Sequence, residues 1–510
     1  MFQAVALLAV LPFLGVLRNG FVSWDDPKVV LENPLLTLPW GAFLVACATA
    51  RPLAAWQPLG WLLYRALYGA FGPSPLAYHA AALVLHGVSA ALLCAWLAEI
   101  VRPKTAGARL ACAAAALAWA WHPVQVESVA WASALSDLLC GVFVLGGLVL
   151  REKGRAKAGL LCFALAGLCR WKALAYPVLC LMRDAGKPKK DWPALAAIGA
   201  AILAATAWAK SGGGYAAVLK PHEAAAGVLW QWSKLLWPSR LAPGALFTPH
   251  ENPLNLGLAD SLLLLGALAT AVVLVRRKSP ALAWAAAAFT VLLLPTVAAG
   301  PPARLFLYDH HLYLALAAFA PALAAFLARS GVRVRVVSAA ALVAAFAASA
   351  AQSAVWRGDE ELWTATLRVF PRSMTAADHL IAFYQDRGRH AEALIAVDER
   401  LAVMPGYEFL LGVRGALLSQ VAPDAKSRAA LERRAAAVLF ARGDAAGAAE
   451  RLETALRFSP QDPDLMVDDA VAQDALGNKS EARALLSRAI RLDPRHARAN
   501  AALAALDAER

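Results

Sequence analysis

The sequence predicts an all-α protein in which a polytopic membrane helix bundle is followed by a C-terminal α-solenoid of helical repeats. Apolar residues make up 60% of the 510 residues and charged residues only 17%, whereas a soluble protein carries about a quarter charged residues. The composition changes at Trp356, after which the chain has the polarity of ordinary soluble helices. We therefore expect a membrane domain over residues 1–355 and a repeat domain over residues 356–510.

The first apolar run, from Phe2 to Leu17, is predicted to be a retained membrane span. A secretory signal peptide begins with basic residues and ends in a cleavage site between small residues. This run has no basic leader, and no such site precedes Arg18. We therefore expect it to be the first span of the bundle.

Basic residues in short loops predict the topology, because cytoplasmic loops of membrane proteins collect Lys and Arg. The formal net charge of +13 is interpreted in this way, and no nucleic-acid partner is expected. If the basic clusters are all cytoplasmic, an even number of spans separates each neighbouring pair. About 11 spans satisfy this condition, with the N-terminus in the cytoplasm and the repeats outside. The clusters centre on 102–109, 151–157, 183–190, 276–278 and 329–335, and the later spans are expected near 78–100, 107–122, 126–150, 192–209, 258–275, 281–300, 310–328 and 332–354.

Three further elements are expected at the outer face. Residues 19–77 form the first outer loop, which is the longest predicted loop before the repeats. Only a short apolar segment separates the basic clusters at Lys157 and Arg183, so two short helices are expected to meet near Arg170. Residues 223–237 are rich in tryptophan and are predicted to form a helix that lies in the membrane interface.

A 34-residue period predicts the fold of the C-terminal domain. Gly443 and Gly477 are 34 residues apart, and so are Pro460 and Pro494. This period, with a glycine between helices and a terminal proline, is typical of tetratricopeptide repeats. We expect repeats at about 372–405, 427–460 and 461–494, with an insertion after the first. Such stacks mostly bind protein segments; a stabilising or dimerising appendage is the alternative.

Ionisable side chains at a membrane surface are costly and are therefore functional candidates. The candidates share the predicted outer face; they are Trp24, Asp25, Asp26, His122, Glu127, Arg170, Lys172, Arg304, Asp309, His310 and His311. Each has a structural alternative. The aspartates suit a helix cap or a turn before Pro27, Glu127 suits a solvated loop, and the cations of 170–172 suit interface anchors.

Carboxylates and cations on one membrane face fit one class of reaction. A carboxylate accepts the proton of an acceptor hydroxyl as general base, while cations stabilise a departing phosphate. A lipid-linked sugar keeps its tail in the bilayer and its head group at the surface. The sequence therefore predicts sugar transfer from a lipid phosphate to a hydroxyl.

The order of several motifs along the chain resembles one known family. The motifs are Phe21-Val-Ser-Trp-Asp-Asp-Pro27, Trp56-Gln-Pro-Leu-Gly-Trp61, Tyr78-His79 with His86, His122-Pro-Val-Gln-Val-Glu-Ser-Val-Ala-Trp131, Tyr308-Asp-His-His-Leu-Tyr-Leu314 and Trp356-Arg-Gly-Asp-Glu-Glu-Leu-Trp363. In this order and with a repeat tail, the chain resembles the membrane O-mannosyltransferases that carry tetratricopeptide repeats (TPR), the TMTC-like members of the GT-C superfamily, as a divergent bacterial member.

The resemblance implies an inverting GT-C glycosyltransferase that uses a polyprenyl- or dolichyl-phosphate sugar and acts on Ser or Thr hydroxyls. It implies that Asp25 or Asp26 is the catalytic carboxylate and that Arg170 takes the place of a family lysine. The chain departs from the family pattern at 134–137, where only Asp137 remains of a charged motif. It also has Gln57 for a family histidine and His310 for a family arginine.

From the residues and the resemblance together we expect Asp25 or Asp26 to act as the base. Cations are expected to hold the donor phosphate, namely Arg170, Lys172 and Arg304. Other residues are expected to shape the site or hold a metal, namely Trp24, His122, Glu127, Asp137, Asp309, His310 and His311. The expected partners are a polyprenyl-phosphate sugar as co-substrate, with mannose one candidate, an acceptor protein at the TPR domain, and the bilayer; a divalent metal stays open.

Two alternatives to this enzyme are kept. The first is an inactive membrane core that anchors a TPR scaffold in envelope assembly. The second is an O-antigen-ligase-like enzyme, although such enzymes use a long late outer loop, and here the first loop is the longest. The high alanine content suggests a GC-rich bacterial genome, so the predicted location is the bacterial inner membrane, with the site and the repeats in the periplasm.

Overall fold

The computed structural model describes residues 1–51, 55–184, 189–211, 221–236, 238, 241, 245–247, 258–298, 305–404 and 407–508. This part of the chain is almost entirely helical, which confirms the predicted all-α class. Two short strands were not predicted: β1 (Ala245–Phe247) pairs antiparallel with β2 (Leu305–Leu307), with Leu246 opposite Phe306.

The chain divides into two compact units, Met1–Phe370 and Pro371–Arg510. The predicted domain boundary lies between 355 and 356, so the segment 356–370 groups with the membrane unit. The helices of this unit are α1 (Phe2–Val10), α2 (Trp40–Thr49), α3 (Pro58–Phe71), α4 (Pro75–Val101), α5 (Ala106–Ala120), α6 (Val126–Ala130), α7 (Leu135–Glu152), α8 (Ala156–Gly167), α9 (Ala175–Arg183), α10 (Trp192–Ser211), α11 (Pro221–Leu236), α12 (Leu258–Lys278), α13 (Pro280–Ala298), α14 (Leu312–Ala315), α15 (Ala320–Arg329), α16 (Val332–Ser353) and α17 (Asp359–Val369).

Several helices of the first unit have the length and composition of membrane spans. Among the described residues, five are long and apolar enough to cross a bilayer; they are Pro75–Val101, Ala132–Glu152, Trp192–Ser211, Asp309–Arg329 and Val332–Trp356. Along the last of these, Val332 is 75% exposed and Val337 69% exposed, as expected for a helix covered by lipid. The chain is a multi-pass membrane protein, and the total of 11 spans stays a prediction.

Two predicted spans begin irregularly, and both irregular segments contain candidate site residues. The span expected at 126–150 becomes α7 only from Leu135, because the chain first forms α6 and a 3₁₀ turn at Ala132–Ala134. The span expected at 310–328 starts with 3₁₀ turns at Asp309–His311 and Leu316–Phe319. The reason at the first break is a hydrogen bond, since the Ser133 amide donates to a side chain of the first outer loop.

Other predicted membrane elements have the expected form. Helices α8 and α9 lie on either side of a 3₁₀ turn at Trp171–Leu174, where two short helices were predicted to meet. Helix α11 covers most of the predicted interfacial segment, although its position in a membrane interface stays a prediction. The first outer loop holds α2, α3 and a single π-helical turn at Pro27–Leu31.

The second unit is a stack of antiparallel helix pairs. Its helices are α18 (Met374–Asp386), α19 (His390–Val403), α20 (Glu408–Val421), α21 (Ala425–Ala441), α22 (Ala445–Phe458), α23 (Pro463–Ala475), α24 (Lys479–Leu492) and α25 (Ala497–Ala508). Each predicted repeat contains two of these helices, joined at Gly388, Gly443 or Gly477. These glycines have φ values of 66°, 83° and 82°, the left-handed conformation that ends a helix and favours glycine. Helix α20 is the insertion after the first repeat.

Candidate active site

Asp26 joins two segments that were predicted to form the first two outer loops. Its carboxylate accepts hydrogen bonds from the Val22 amide at 3.0 Å, the Ser133 amide at 3.0 Å and the Ser133 hydroxyl at 2.5 Å. The side chain is buried, and this burial raises the pKa of Asp26 to about 7 despite the three donors. Because both oxygens are engaged within the protein, Asp26 is suited to holding the loops together.

Asp25 has a different environment from its neighbour. It is only partly buried, and no residue in the described chain donates a hydrogen bond to its carboxylate. Burial raises the pKa of Asp25, while the positive charges of Arg170 and Lys28 oppose this rise. Asp25 is therefore within electrostatic reach of Arg170, and it is the member of the aspartate pair whose oxygens are available to a ligand.

Three charged side chains meet where the α8–α9 turn contacts α7. The Lys172 Nζ atom lies 2.9 Å from Asp137 Oδ1 and donates to the His310 carbonyl at 3.2 Å. The Arg170 Nε atom lies 3.5 Å from the same Asp137 oxygen. The Arg170 side chain is 22% exposed and that of Lys172 only 9%. Lys172 is thus fixed by internal partners, whereas Arg170 retains capacity for another anion.

A second ionic cluster forms around Glu127. One Glu127 oxygen lies 2.5 Å from His310 Nδ1, and the other accepts the Asp309 amide at 3.2 Å. Burial, reinforced by the negative charge of Asp309, raises the pKa of Glu127. The Asp309 carboxylate in turn forms an ion pair with Lys234 of α11. Because His310 Nε2 lies 4.0 Å from Asp137, the two clusters form one buried network, which we call the ionic network.

Lys234 was missed in the sequence. A buried lysine requires a counter-ion, and a lone lysine within a tryptophan-rich apolar helix was the signal that could have indicated a partner. Its partner Asp309 lies 75 residues further along the chain, so local patterns did not identify the pair.

The remaining predicted site residues include two histidines, neither of which is a charged member of the ionic network. His122 is outside the ionic network: its Nδ1 accepts the Val124 amide at 3.3 Å and its Nε2 lies 3.4 Å from the Leu235 carbonyl. It caps the 3₁₀ turn at Pro123–Gln125, and burial lowers its pKa to about 4. His311 packs against Trp171, with ring centroids 6.1 Å apart. Arg304 lies outside the described residues.

Aromatic rings pack beside the network. Trp24 lies 6.3 Å from the Tyr308 ring, and Trp131 lies 6.4 Å from Tyr308 and 5.4 Å from His310, measured between ring centroids. Trp24 also lies 5.4 Å from Trp363 of α17. Trp24 therefore contacts residues that are distant in sequence, and its role in shaping a site stays a prediction.

The described residues do not offer a ligand set for a metal. Within them, no group of three or more His, Cys, Asp or Glu side chains is arranged to hold a cation. The buried carboxylates already have partners: Asp137 has Lys172, Asp309 has Lys234 and Glu127 has His310.

Comparison with known proteins gives one family match and one similar protein. Residues 439–506 match the tetratricopeptide repeat family. A stretch of 199 residues is 31% identical to Protein O-mannosyl-transferase Tmtc1 of Drosophila melanogaster. Over this stretch the chain is similar to a TMTC protein. The match covers 36% of this chain and 22% of Tmtc1, so the similarity to this TMTC protein spans less than a quarter of the length of that relative.

Proposed function

We propose that this TMTC-like protein is an inverting glycosyltransferase that moves a sugar from a polyprenyl-phosphate donor to a protein hydroxyl at the outer membrane face. The observation that carries the proposal is the electrostatic interaction between the Asp25 carboxylate and the Arg170 guanidinium. A partly buried carboxylate without a hydrogen-bond donor lies within electrostatic reach of a cation that is only loosely paired. Mannose is the candidate sugar, since the relative is an O-mannosyl-transferase.

The proposed reaction is a single displacement. Asp25 accepts the proton of the acceptor hydroxyl, the hydroxyl oxygen forms a bond to the anomeric carbon, and the bond from that carbon to the phosphate oxygen breaks. The polyprenyl phosphate leaves with the electron pair, and Arg170 stabilises its negative charge. One displacement inverts the anomeric configuration. A carboxyl whose pKa is raised by burial is a stronger base than an ordinary aspartate.

Unused donors near the ionic network support the binding of an oxygen-rich ligand. Three buried nitrogens have no hydrogen-bond partner within the described chain: Arg170 Nε, Trp131 Nε1 and the His311 ring nitrogen Nδ1. Buried polar groups are nearly always satisfied in native proteins. A phosphate accepts hydrogen bonds and a sugar hydroxyl both donates and accepts them, so a bound sugar phosphate would supply partners for these three nitrogens.

The acceptor-binding part of the proposal rests on a groove in the repeats. Helices α21, α22, α23 and α25 line a groove of about 620 Å³. Its surface presents Phe440 and Val471, both 41% exposed, and the cation Arg434. Arg433 and Arg498 also line the groove, where both form ion pairs with Asp468. An extended protein segment with apolar and acidic side chains would complement this groove, and we propose that it delivers the acceptor hydroxyl.

Transfer assays on two neighbouring variants test the proposal. We expect Asp25→Asn to lower transfer of radiolabelled mannose from polyprenyl-phosphate mannose to membrane protein by about 100-fold or more, the usual effect of losing a general base. Binding of the labelled donor should persist. Arg170→Gln should instead weaken donor binding. Transfer at the wild-type rate by Asp25→Asn would overturn the assignment of the base.

The alternative of a non-enzymatic scaffold has one observation in its favour. Most charges of the ionic network are neutralised by partners within the protein, as in a structural core. Donor binding distinguishes the two functions. If the purified wild-type protein in nanodiscs binds no labelled polyprenyl-phosphate sugar, the scaffold becomes the better account; saturable binding that Arg170→Gln weakens supports the enzyme.

A further inference from the structure

Helix α17 contacts the first outer loop directly before Asp25. The Ser23 amide donates to Asp359 Oδ1 at 2.6 Å, and the Trp363 indole N–H donates to the Ser23 hydroxyl at 3.1 Å. Nearby, the Gly20 amide donates to the Arg357 carbonyl at 3.0 Å. Loop residues 20–24 are thus held by a segment that follows the last membrane span by only a few residues.

The same segment also contacts the second outer loop. Trp356 is buried and packs on Trp131, with 6.1 Å between ring centroids. Trp363 is 1% exposed and packs on Trp24. Since Asp26 is already hydrogen-bonded to Ser133, Asp25 is flanked on both sides by fixed residues.

Helix α17 does not need its contacts with loop residues 20–24 in order to be stable as a helix. An acidic residue in the first turn favours any helix through the helix dipole, and α17 has three there: Asp359, Glu360 and Glu361. Glu361 is exposed, but Asp359 accepts a charge-assisted hydrogen bond from a loop amide 336 residues earlier. The loop contact is thus specific to Asp359 and Trp363 rather than a general property of this helix turn.

We infer that Asp359 and Trp363 are positioning residues that fix the segment Ser23–Trp24 and so aim the Asp25 carboxylate at the acceptor hydroxyl. This inference rests on the proposed role of Asp25 as base. Displacement of a reacting group by about 1 Å can cost 100-fold in rate. Helix α17 is then part of the active-site architecture, in addition to linking the membrane unit to the repeats.

Kinetics of full-length variants in proteoliposomes test this role. We expect Asp359→Ala to lower kcat for mannose transfer by about 10- to 100-fold, with KM for polyprenyl-phosphate mannose changed less than about 3-fold. Asp359→Asn keeps an oxygen that can accept the Ser23 amide and should restore most of kcat. Glu361→Ala is the matched control, because it removes a negative charge from the same helix turn without touching the loop.

A double-mutant cycle isolates the second contact. Trp363→Phe retains an aromatic ring but removes the indole donor, and Ser23→Ala removes its acceptor. If the bond positions the loop, each single change should lower kcat several-fold, and the double variant should be no slower than the slower single variant. Fully additive losses would contradict a role for this hydrogen bond.

A readout without catalysis separates the two proposals. Hydrogen exchange of peptides covering residues 19–30 should be faster in Asp359→Ala than in the wild type, and Asp359→Asn should restore protection. If Asp25→Asn is inactive but Asp359→Ala exchanges and turns over like the wild type, the positioning role fails and the proposed base stands. If Asp25→Asn is fully active, the proposed function fails, whatever the exchange data show. If Asp359→Asn lost as much kcat and as much melting temperature as Asp359→Ala, Asp359 would only stabilise the fold, and the inference would be overturned.

Discussion

The ionic network of the membrane unit and the ion pairs of the repeat unit contain similar side chains. They differ in the backbone that carries them, which is more irregular in the membrane unit. In the repeats, Arg451 lies 2.7 Å from Asp398 and 3.1 Å from Glu432, and Arg414 binds Asp398 at 2.5 Å. These groups come from four regular helices, α19 to α22. In the membrane unit, Glu127, Asp309 and His310 come from helical segments of only three to five residues.

This difference in backbone separates two uses of charge. The ion pairs of the repeats join helices, whereas the ionic network lies beside the proposed site. Charged groups on regular helices meet because the helices pack, and in the repeats each of these charges has an opposite charge as its partner. The irregular segments of the membrane unit instead leave Asp25 without a donor and Arg170 loosely paired. Irregular backbone allows several polar groups to point to one place. Three pairs of variants compare the two regions, and a fourth pair tests the repeat groove.

Removing one buried cation from each region should give the largest effect. Lys234→Met leaves the buried Asp309 carboxylate without its counter-ion, and breaking such a pair costs about 3–5 kcal/mol. Arg451→Met removes the ion pair of Glu432 but should cost less, because the Arg451 side chain is 15% exposed and its other partner, Asp398, keeps Arg414. Melting temperatures in detergent measure both. The double variant Lys234→Met with Asp309→Asn should recover stability, and a failure to recover would show that Lys234 acts through other contacts.

Replacing one buried glutamate in each region should separate activity from stability. Glu127→Gln disturbs the bonds to His310 and to the Asp309 amide beside the proposed site, so we expect transfer to fall by about 100-fold. Glu432→Gln weakens only the pair with Arg451 and should lower the melting temperature by a few degrees. Its transfer rate should stay within about 2-fold of the wild type. Similar losses of transfer in both variants would contradict the contrast.

The pH dependence of stability should also differ between regions. Burial raises the pKa of Asp26 to about 7 and that of Asp469, in the repeats, to about 6. A folded pKa above the unfolded value means that the folded state binds the proton more tightly. Stability is therefore lost as pH rises from about 4 to 7 for Asp26 and from about 4 to 6 for Asp469.

Melting temperature as a function of pH checks these two windows. Asp26→Asn should flatten the fall between about pH 4 and pH 7, whereas Asp469→Asn should remove only the part below about pH 6. A wild-type protein that becomes more stable as pH rises through these windows would show that the hydrogen bonds to Asp26 outweigh its burial.

The smallest effect is expected in the repeat groove. Arg434 lines the groove and forms no ion pair within the described chain. Arg434→Ala should raise KM for a protein acceptor by about 3- to 10-fold, because a solvated charge at an interface contributes modestly to affinity. The rate with saturating acceptor should not change. Arg457→Ala is the control, since Arg457 is exposed and pairs with Glu453 outside the groove. Equal effects of both substitutions would exclude the groove as the acceptor site.

Features with a local signal were predicted best. The apolar runs, the turn near Arg170 and the glycine-punctuated repeats each depend on residues close in sequence, and the structure places them as expected. The apparent span 126–150 was extended too far, because its composition is apolar and only the distant Asp26 explains why the helix begins at Leu135.

The sequence predicted which residues belong to the candidate site, but it did not predict how their side chains contact one another. Nothing in the pair Asp25-Asp26 indicates which carboxylate is engaged, since that depends on Ser133, which is 107 residues away. His122 was grouped with the site because of its motif, yet its ring caps a local turn. Ser133, Lys234 and Trp363 were missed for the same reason: each contacts the site through a tertiary hydrogen bond or ring contact with no local counterpart.

The position of the seam between the two units has an evolutionary consequence. The compact units part between Phe370 and Pro371, beyond Trp363, whose indole contacts the predicted first outer loop. A recombination event at that point exchanges the repeat array while the membrane unit keeps every described residue of the site. A junction at residue 355 would transfer Asp359 and Trp363 with the repeats and leave the loop unsupported. Under the proposed function, exchange of the C-terminal repeats would alter acceptor preference while the proposed catalytic residues are retained.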